Sequence, residues 1–475
     1  MQLPIVGPSY KHASQDINWQ RCINMFLTSS GPDGRGKTAL LPTPGLSSIV
    51  SSGGSEVRAI MAHGDNLYAV IDNTCYTLTF DTDAISGTLS SIGTLSTSSG
   101  PISWDINPTQ IMIVDGSTNG YIITVATDTF AAISDADFTG GVTVVFFDSY
   151  FIYNTPDAST MYATALNDGS DITATDFGTA EGKPDKLVGL AVDKRELWAF
   201  GEKTVEIWYD AANSTGFPFS RREGAYVDLG CSAAHSIVNI DNTLVWLDHR
   251  RYVVQAQGYN PVVLSDEAVS KEFQTYKTVN DAIAYEYVDR GHLFYIITFP
   301  TEKKTWAYDL LTGSWHERAY FDQNDNFTRQ RQNCHLKYKS FDLVGDYTNG
   351  NIYHMSSDYY DDNGDPIHRL RTTSHQNMEF AKISVSEVAL HMESGKGLVT
   401  GTGNDPQVML RYSNDGGYTW SHELPRSIGK LGEYDKQIRW NRLGMAREWL
   451  FEFRISDPIK FSIIDASVRI SGGLH

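Results

Sequence analysis

Cysteine is scarce in this sequence: four residues (Cys22, Cys75, Cys231, Cys334) in 475, with no CxxC pair among them. That excludes a disulfide framework and the usual zinc spacings, and the four read as buried thiols. Long apolar runs are missing as well. Val142 to Phe147 and Leu293 to Phe299 are among the longest, far short of the ~18 residues a membrane helix needs. Pro4, Gly7 and Pro8 interrupt the apolar stretch of the first sixteen residues, so no secretory signal is expected there. Asn213-Ser214-Thr215 and Asn326-Phe327-Thr328 are then glycosylation sequons by letter alone. Positive charge is absent from a quarter of the chain. Between Arg58 and Lys183 there is no Lys or Arg, while 15 acidic residues fall there, 14 of them Asp. The whole chain has 38 Lys plus Arg against 57 Asp plus Glu, a formal charge of −19. A general DNA binder is excluded, because such proteins gain affinity by replacing counterions with Lys and Arg.

Catalytic signatures are missing too. No GxSxG or HExxH occurs and the 13 His are scattered, which removes the usual support for nucleophile and zinc-hydrolase chemistry. Gly31 to Thr38 spells a P-loop letter for letter, yet Pro42 and Pro44 forbid the helix that must follow one, so an exposed Gly-rich turn is expected. Asp358, Asp361, Asp362 and Asp365 suggest calcium, but an EF-hand loop wants a ligand at Tyr359 and a Glu at Leu370. No enzyme, no cofactor and no metal is the expectation.

What is present is apolar and β-forming. Hydrophobic residues make up 41 % and charges 20 % of the chain, enough for a large core. From Val57 onward, apolar runs of five to eight residues alternate with turn pairs, as in Arg58 to Ala62, Leu67 to Ile71 and Cys75 to Phe80. Comparable groups begin near Ile102, Val142, Leu187, Ser236, Ala282 and Leu336. A period near 45 with about four strands per unit predicts a β-propeller of about seven blades. Trp306 to Trp315 resembles a kelch blade hairpin, with an aromatic-Asp strand end, a Thr-Gly turn and a Trp on the return strand. Similar pieces cross Gly201-Glu202 and Asn349-Gly350. One short stretch, 265–276, is the best helix candidate. Charge marks the boundary: residues 374–475 hold 12 basic and 12 acidic residues. The expected division is an extended arm, 1–56, that docks on neighbours, a propeller, 57–373, and a β-sandwich-like docking module, 374–475.

Two features of that last module stand out. Ser413-Asn414-Asp415-Gly416-Gly417-Tyr418-Thr419-Trp420 matches the Asp-box, SxDxGxTW. Ser413, Asp415, Gly417, Thr419 and Trp420 are read as structural, with the carboxylate capping the turn and Trp420 packing under the hairpin. Sialidases carry several such boxes, so a sialidase-like glycan hydrolase, or a non-catalytic glycan-binding module, is the alternative function. Arg426, Lys430, Lys436, Arg439, Arg442, Arg447 and Arg454 are interleaved with Tyr434, Trp440 and Trp449. A solvated strand face is the plain reading. The sharper one is a subunit interface, with Arg426, Lys436, Arg439, Trp440 and Arg442 against an acidic partner or the acidic propeller of a neighbouring copy. The Asp excess has two readings as well: turn chemistry, or a surface past which nucleic acid slides.

Cys22 to Leu27 with its Asn24-Met25, then Leu40 to Leu46 with Pro44-Gly45, resembles the opening of the packaged-DNA stabilisation proteins of short-tailed bacteriophages, the tail hub or nozzle proteins. Val188-Gly189-Leu190, Phe200-Gly201, Val205 to Trp208 and, most specifically, Tyr434 to Gly444 extend the resemblance to nearly the whole chain. It implies a homo-hexameric ring below the portal and its tail adaptor. The ring would hold a tail fibre or spike, with a central needle or plug as a further partner, and would retain packaged DNA. Duplex DNA would traverse the lumen without sequence-specific binding, and no membrane insertion is expected. The place would be the virion tail, assembled in the host cytoplasm, and no catalytic residue carries over.

Overall fold

The computed structural model describes all residues except Ser30, Pro32 to Lys37, Glu181, Pro184, Ser214, Glu379 to Phe380 and Gly473 to His475. Most of the P-loop lookalike and the centre of the first sequon therefore lie outside the described residues. Thr38 itself begins a strand, Thr38–Pro42, and not a helix.

Six four-stranded antiparallel units follow one another along the chain, at 57–94, 103–132, 144–179, 187–227, 238–263 and 283–318, and a seventh contributes three strands at 332–356. First strands of neighbouring blades pack together, as Ser103–Ile106 does on Val144–Phe147 and Ile283–Asp289 on Gln332–Tyr338. Gln332–Tyr338 returns to lie beside Val57–His63, closing a ring. Each blade is apolar on both faces, so stability has to come from stacking. Seven buried clusters sit between successive blades, from Met61, Val70 and Ile113 between the first and second to Ile60, Leu343 and Ile352 between the seventh and first. The all-β propeller with about seven blades is thus the observed fold. Among the described residues the one α-helix is Glu267–Thr275, started by Asp266, whose carboxylate accepts from the Val269 amide at 2.8 Å.

The hairpin turns show why Asp is so frequent. Asp309 is fully buried and accepts from the Leu311 amide (3.0 Å), Thr312 Oγ1 (2.6 Å) and His292 Nδ1 (2.7 Å), and Gly313 follows with φ +62°. Asp346 does the same for Thr348 and for the Tyr353 hydroxyl. In the lysine-free quarter, Asp72, Asp81, Asp105, Asp115, Asp135, Asp137 and Asp168 all accept from backbone amides. Half of its 14 aspartates are spent on turns and inter-blade links.

Residues 1–56 are woven into this same chain. Gly45–Ser51 is the fourth strand of the seventh blade, paired with Asn351–Ser356. Met25–Ser29 and Thr38–Pro42 form a hairpin on the edge of the sandwich, and Gln2–Leu3 pairs with the last strand. Cys22–Ile23 lies between Ser314–Arg318 of the sixth blade and Arg369–Thr372. The sixth blade and one sandwich sheet are therefore a single ten-stranded sheet. The other sandwich sheet runs Ile438–Ala446, Ile383–Met392, Ile463–Gly472, Thr38–Pro42, Met25–Ser29. Val388, Leu410, Trp440, Trp449 and Phe453 fill the space between the two.

Candidate docking surface, welded arm and axial channel

The Asp-box lies in the hairpin between Gln407–Ser413 and Leu424–Ser427. Asp415 accepts from Thr419 Oγ1 (2.6 Å), from the Thr419 amide (2.9 Å) and from Ser413 Oγ (2.7 Å). The Thr419 hydroxyl foremost, then its amide, hold the carboxyl down at about 2. Ser413 Oγ accepts in turn from the Gly417 amide at 2.8 Å. Gly416 and Gly417 have φ +75° and +95°, open to glycine and strained for other residues. Trp420 is half-buried with the Arg411 guanidinium 5.4 Å from its ring centre. Ser413, Asp415 and Thr419 bond to one another within the turn, and Gln15 and Asp16 of the N-terminal segment lie against its two glycines.

The basic stretch forms the rim of the sandwich. Arg426, Lys436, Arg439 and Arg442 are exposed. Arg426 donates to the Arg439 carbonyl (3.0 Å), Arg439 pairs with Glu387 (3.4 Å) and Lys436 with Glu433 (3.6 Å). Arg442 stands at a bulge, with φ +60°, in Ile438–Ala446, the edge strand of its sheet. Trp440 differs from the other four. It is 1 % exposed and donates from Nε1 to the Leu424 carbonyl at 2.7 Å. It is a core residue and presents nothing to a partner, because the alternation along the strand turns Ile438 and Trp440 inward and Arg439 outward.

Three residues that weld the N-terminal segment were not singled out by side-chain chemistry in the sequence. Asn24 adopts φ +55°, a left-handed conformation Asn tolerates. Its amide nitrogen donates to the carbonyls of Ala319 (2.7 Å) and His368 (2.9 Å), and its oxygen accepts from the Ala319 amide (2.9 Å). One side chain thus joins the arm, the end of the sixth blade and the strand leading into the sandwich. Gly45 touches backbone: a Cβ there would lie 2.3 Å from the Asp361 carbonyl oxygen. Arg371, fully buried, donates to the carbonyls of Ile5, Pro8 (2.9 Å) and Arg21 (3.4 Å) and to Gln20 Oε1 (2.9 Å). The Asn24-Met25 and Pro44-Gly45 pairs were the available signal; the roles of their polar atoms became visible only with the partners in place.

The inner strands of the propeller enclose a channel of about 690 Å³, lined among others by Arg58, Asp105, His235, Tyr285 and Arg329. Arg58 and Asp105 are held by the scaffold, Asp105 accepting from the Phe146 amide at 2.6 Å. Arg58 donates to the carbonyls of Gly100 (2.6 Å), Thr97 (2.8 Å) and Asp72 (3.1 Å). Burial raises the Asp105 carboxyl to about 6 and lowers His235 to about 4. No group of three or more His, Cys, Asp or Glu fit to hold a metal occurs among the described residues. In the candidate calcium segment, Asp365 pairs with Arg331 at 2.9 Å and Asp362 is buried.

A family model described as bacteriophage P22 Gp10, beta-propeller, matches residues 1–360, and one described as bacteriophage P22 Gp10, beta-sandwich, matches residues 368–471. No curated protein sequence matches the chain. Solved structures similar to it include the WD40 β-propeller domain of Doa1, at 11 % identity over 66 % of this chain and 96 % of that one, TM-score 0.43. Two others are the computationally designed Ika8 protein (11 %, 66 % and 99 %, TM-score 0.39) and PorZ of Porphyromonas gingivalis, a type-IX secretion component (11 %, 80 % and 46 %, TM-score 0.40).

Proposed function

Since the chain belongs to the family of bacteriophage P22 Gp10, the packaged-DNA stabilisation or tail hub proteins of phage tails, we propose that six copies close a ring below the portal and its adaptor. In this reading the ring retains packaged DNA and carries a fibre or spike, with a needle or plug at its centre. The observation that carries the ring is that side chains of the inner strands, Arg58, Tyr285 and Arg329 among them, line the propeller's own axial pocket. A conduit for DNA is therefore read as built between copies.

Charge supports how copies meet. The exposed Arg426, Lys436, Arg439 and Arg442 of one copy face the lysine-free blades of the next, with buried Trp440 stiffening the strand from behind. The arm 1–56 welds the propeller 57–373 to the docking module 374–475. We read the protein as a scaffold and not as a catalyst, because its family is that of a phage tail protein and Asp415 of the Asp-box is spent on its own turn. Assembly takes place in the host cytoplasm and the product resides in the virion tail. Cryo-electron microscopy of the protein with its adaptor tests this directly. A six-fold ring, lost in Arg439→Glu/Arg442→Glu while the monomer stays folded, is the expected result. A three-fold particle, a ring indifferent to those changes, or hydrolysis of cell-surface polysaccharide abolished by one carboxylate substitution refutes it.

A further inference from the structure

Each blade ends on an outer strand whose free edge is a template for pairing, and folded proteins blunt such edges with charge, proline, bulges, short length or a cover. Six of the seven blades do so here. Ser314–Arg318 pairs onward with Cys22–Ile23. Gly45–Ser51 pairs at Leu46 with Asp361–Asp362, and Asn363 Oδ1 takes its Ser48 amide at 3.1 Å. Thr129–Ala132 and Asn260–Val263 are four residues long, the second with Pro261. Phe219–Val227 carries Arg221, Arg222 and Glu223 and bulges beside Gly224, φ +74°. In Asp168–Thr179, the amides of Ile172 and Ala174 donate to Asp135 and Asp137 of the preceding blade, both at 3.1 Å. Ser86–Thr94 of the first blade is the exception. It is nine residues long, has neither charge nor proline, and is the end strand of its sheet. Its pairing slips once, at Ile92, so Ser86 to Ser91 is the regular part. Seven of the nine residues are Ser, Thr or Gly, and among the described residues none of their backbone groups bonds outside the sheet. Leu89 and Ile92 pack into the clusters on either face, which fixes the strand and leaves its edge open.

We propose that this edge receives an extended, positively charged segment of another protein, which adds a fifth strand to the first blade. The backbone selects the shape. Alternate N–H and C=O groups along an edge are satisfied together only by another extended backbone, and the small side chains let it approach. Charge selects the composition. Asp81 and Asp83, both exposed, stand in the turn that leads into the strand, and no Lys or Arg occurs from 59 to 182. A segment bearing Lys or Arg gains from that field, and an acidic one is repelled. A second copy offers no strand to match. Its basic edge strand, Ile438–Ala446, is kinked by positive φ at Arg442 (+60°) and Gly444 (+110°), and Arg426 covers the Arg439 carbonyl at 3.0 Å. Leu424–Ser427 is four residues long and holds Pro425. The basic side chains assigned above to contact between copies meet acidic side chains, whereas this edge offers backbone.

The test uses the full chain and three capped peptides, each about 30 Å long when extended, the span of the strand. One alternates lysine and valine, one has glutamate in place of lysine, and one is the lysine peptide N-methylated at every backbone amide. Hydrogen exchange read by mass spectrometry should slow about tenfold at 86–94 with the lysine peptide at ten times its Kd. Residues 129–132 and 219–227 should not change, and neither other peptide should slow 86–94. Thr88→Lys/Ser90→Lys, at two exposed positions, should weaken the lysine peptide about tenfold through like charges across the new pair. Should that variant fail to fold, the three peptides on the parent chain decide. No slowing overturns the proposal, as does equal slowing by the glutamate peptide. Equal slowing by the N-methylated peptide marks contact through charge alone and overturns it too. Slowing at 86–94 without peptide that grows with protein concentration gives the edge to a second copy and has the same result. Ring assembly enters none of these outcomes, so the edge and the ring stand or fall separately.

Discussion

Replacing Arg371 by Met removes the anchor of the arm while keeping most of the side-chain volume. Three carbonyls, of Ile5, Pro8 and Arg21, and the Gln20 amide oxygen lose a charged donor. At about 1.5 kcal/mol for each bond to a charged group, the lower end of the usual range, the loss is about 6 kcal/mol. Relief of guanidinium burial offsets several kcal/mol of that, which leaves a net cost of about 2–4 kcal/mol. Among the described residues no carboxylate pairs with Arg371, and burial lowers its pKa, so the cost falls on the backbone it holds. The assay is trypsin cleavage at Lys11 and Arg21, both within or beside the anchored segment. When opening is fast, cleavage follows the open population. A cost of 2 kcal/mol predicts a rise of about 30-fold, alongside a lowered denaturation midpoint. Arg371→Lys should fall between, because one ammonium cannot span acceptors arranged for a planar fork. Wild-type cleavage rates in a well-folded Arg371→Met protein refute the anchor.

Gly45→Ala should cost at least about 3 kcal/mol in chemical denaturation, because the new Cβ meets the Asp361 and Tyr359 backbones, which no rotamer change can move. Asp415 gives a pH signature. Its carboxyl is held at about 2, below its unfolded value, so its contribution is present above about pH 4 and is lost as the pH falls towards 2. Asp415→Asn should flatten that part of the stability curve, as followed by thermal melts from pH 2 to 5.

The blades were legible because their information is local. The sequence groups expected near residues 58, 102, 142, 187, 236, 282 and 336 correspond to inner strands beginning at Val57, Ser103, Val144, Leu187, Val238, Ile283 and Gln332. Turn residues and period-two patterning sit within each unit, so no distant partner is needed to read them. The fourth strand of the seventh blade was not legible. Gly45–Ser51 pairs with residues some 300 positions away, and strand grammar carries no address. The same holds for Cys22–Ile23, too short to announce a strand until two neighbours pair with it. Trp440 could have been placed correctly from the alternation Ile438, Arg439, Trp440; its aromatic neighbourhood suggested a surface where the period pointed inward.

Closure from the N-terminus has a mechanical consequence. A ring of seven blades joined only through consecutive hairpins has one seam, between the last blade and the first. Here the strand that finishes the last blade comes from residues just before the first, so opening the seam means unzipping Gly45–Ser51 from Asn351–Ser356 along its whole length. The junction with the sandwich is built the same way. Ile23 pairs with both Glu317 and Leu370, and Asn24 bonds Ala319 and His368 across it, so backbone pairing, not a hinge, sets the angle between the two bodies. Rotation about that junction would break strand pairing before it displaced a surface side chain. Substitutions on the outer strands should therefore leave the junction intact, while Asn24→Ala, at a position of no catalytic promise, should loosen sandwich from propeller and be seen as faster amide exchange across residues 319–324 and 366–372.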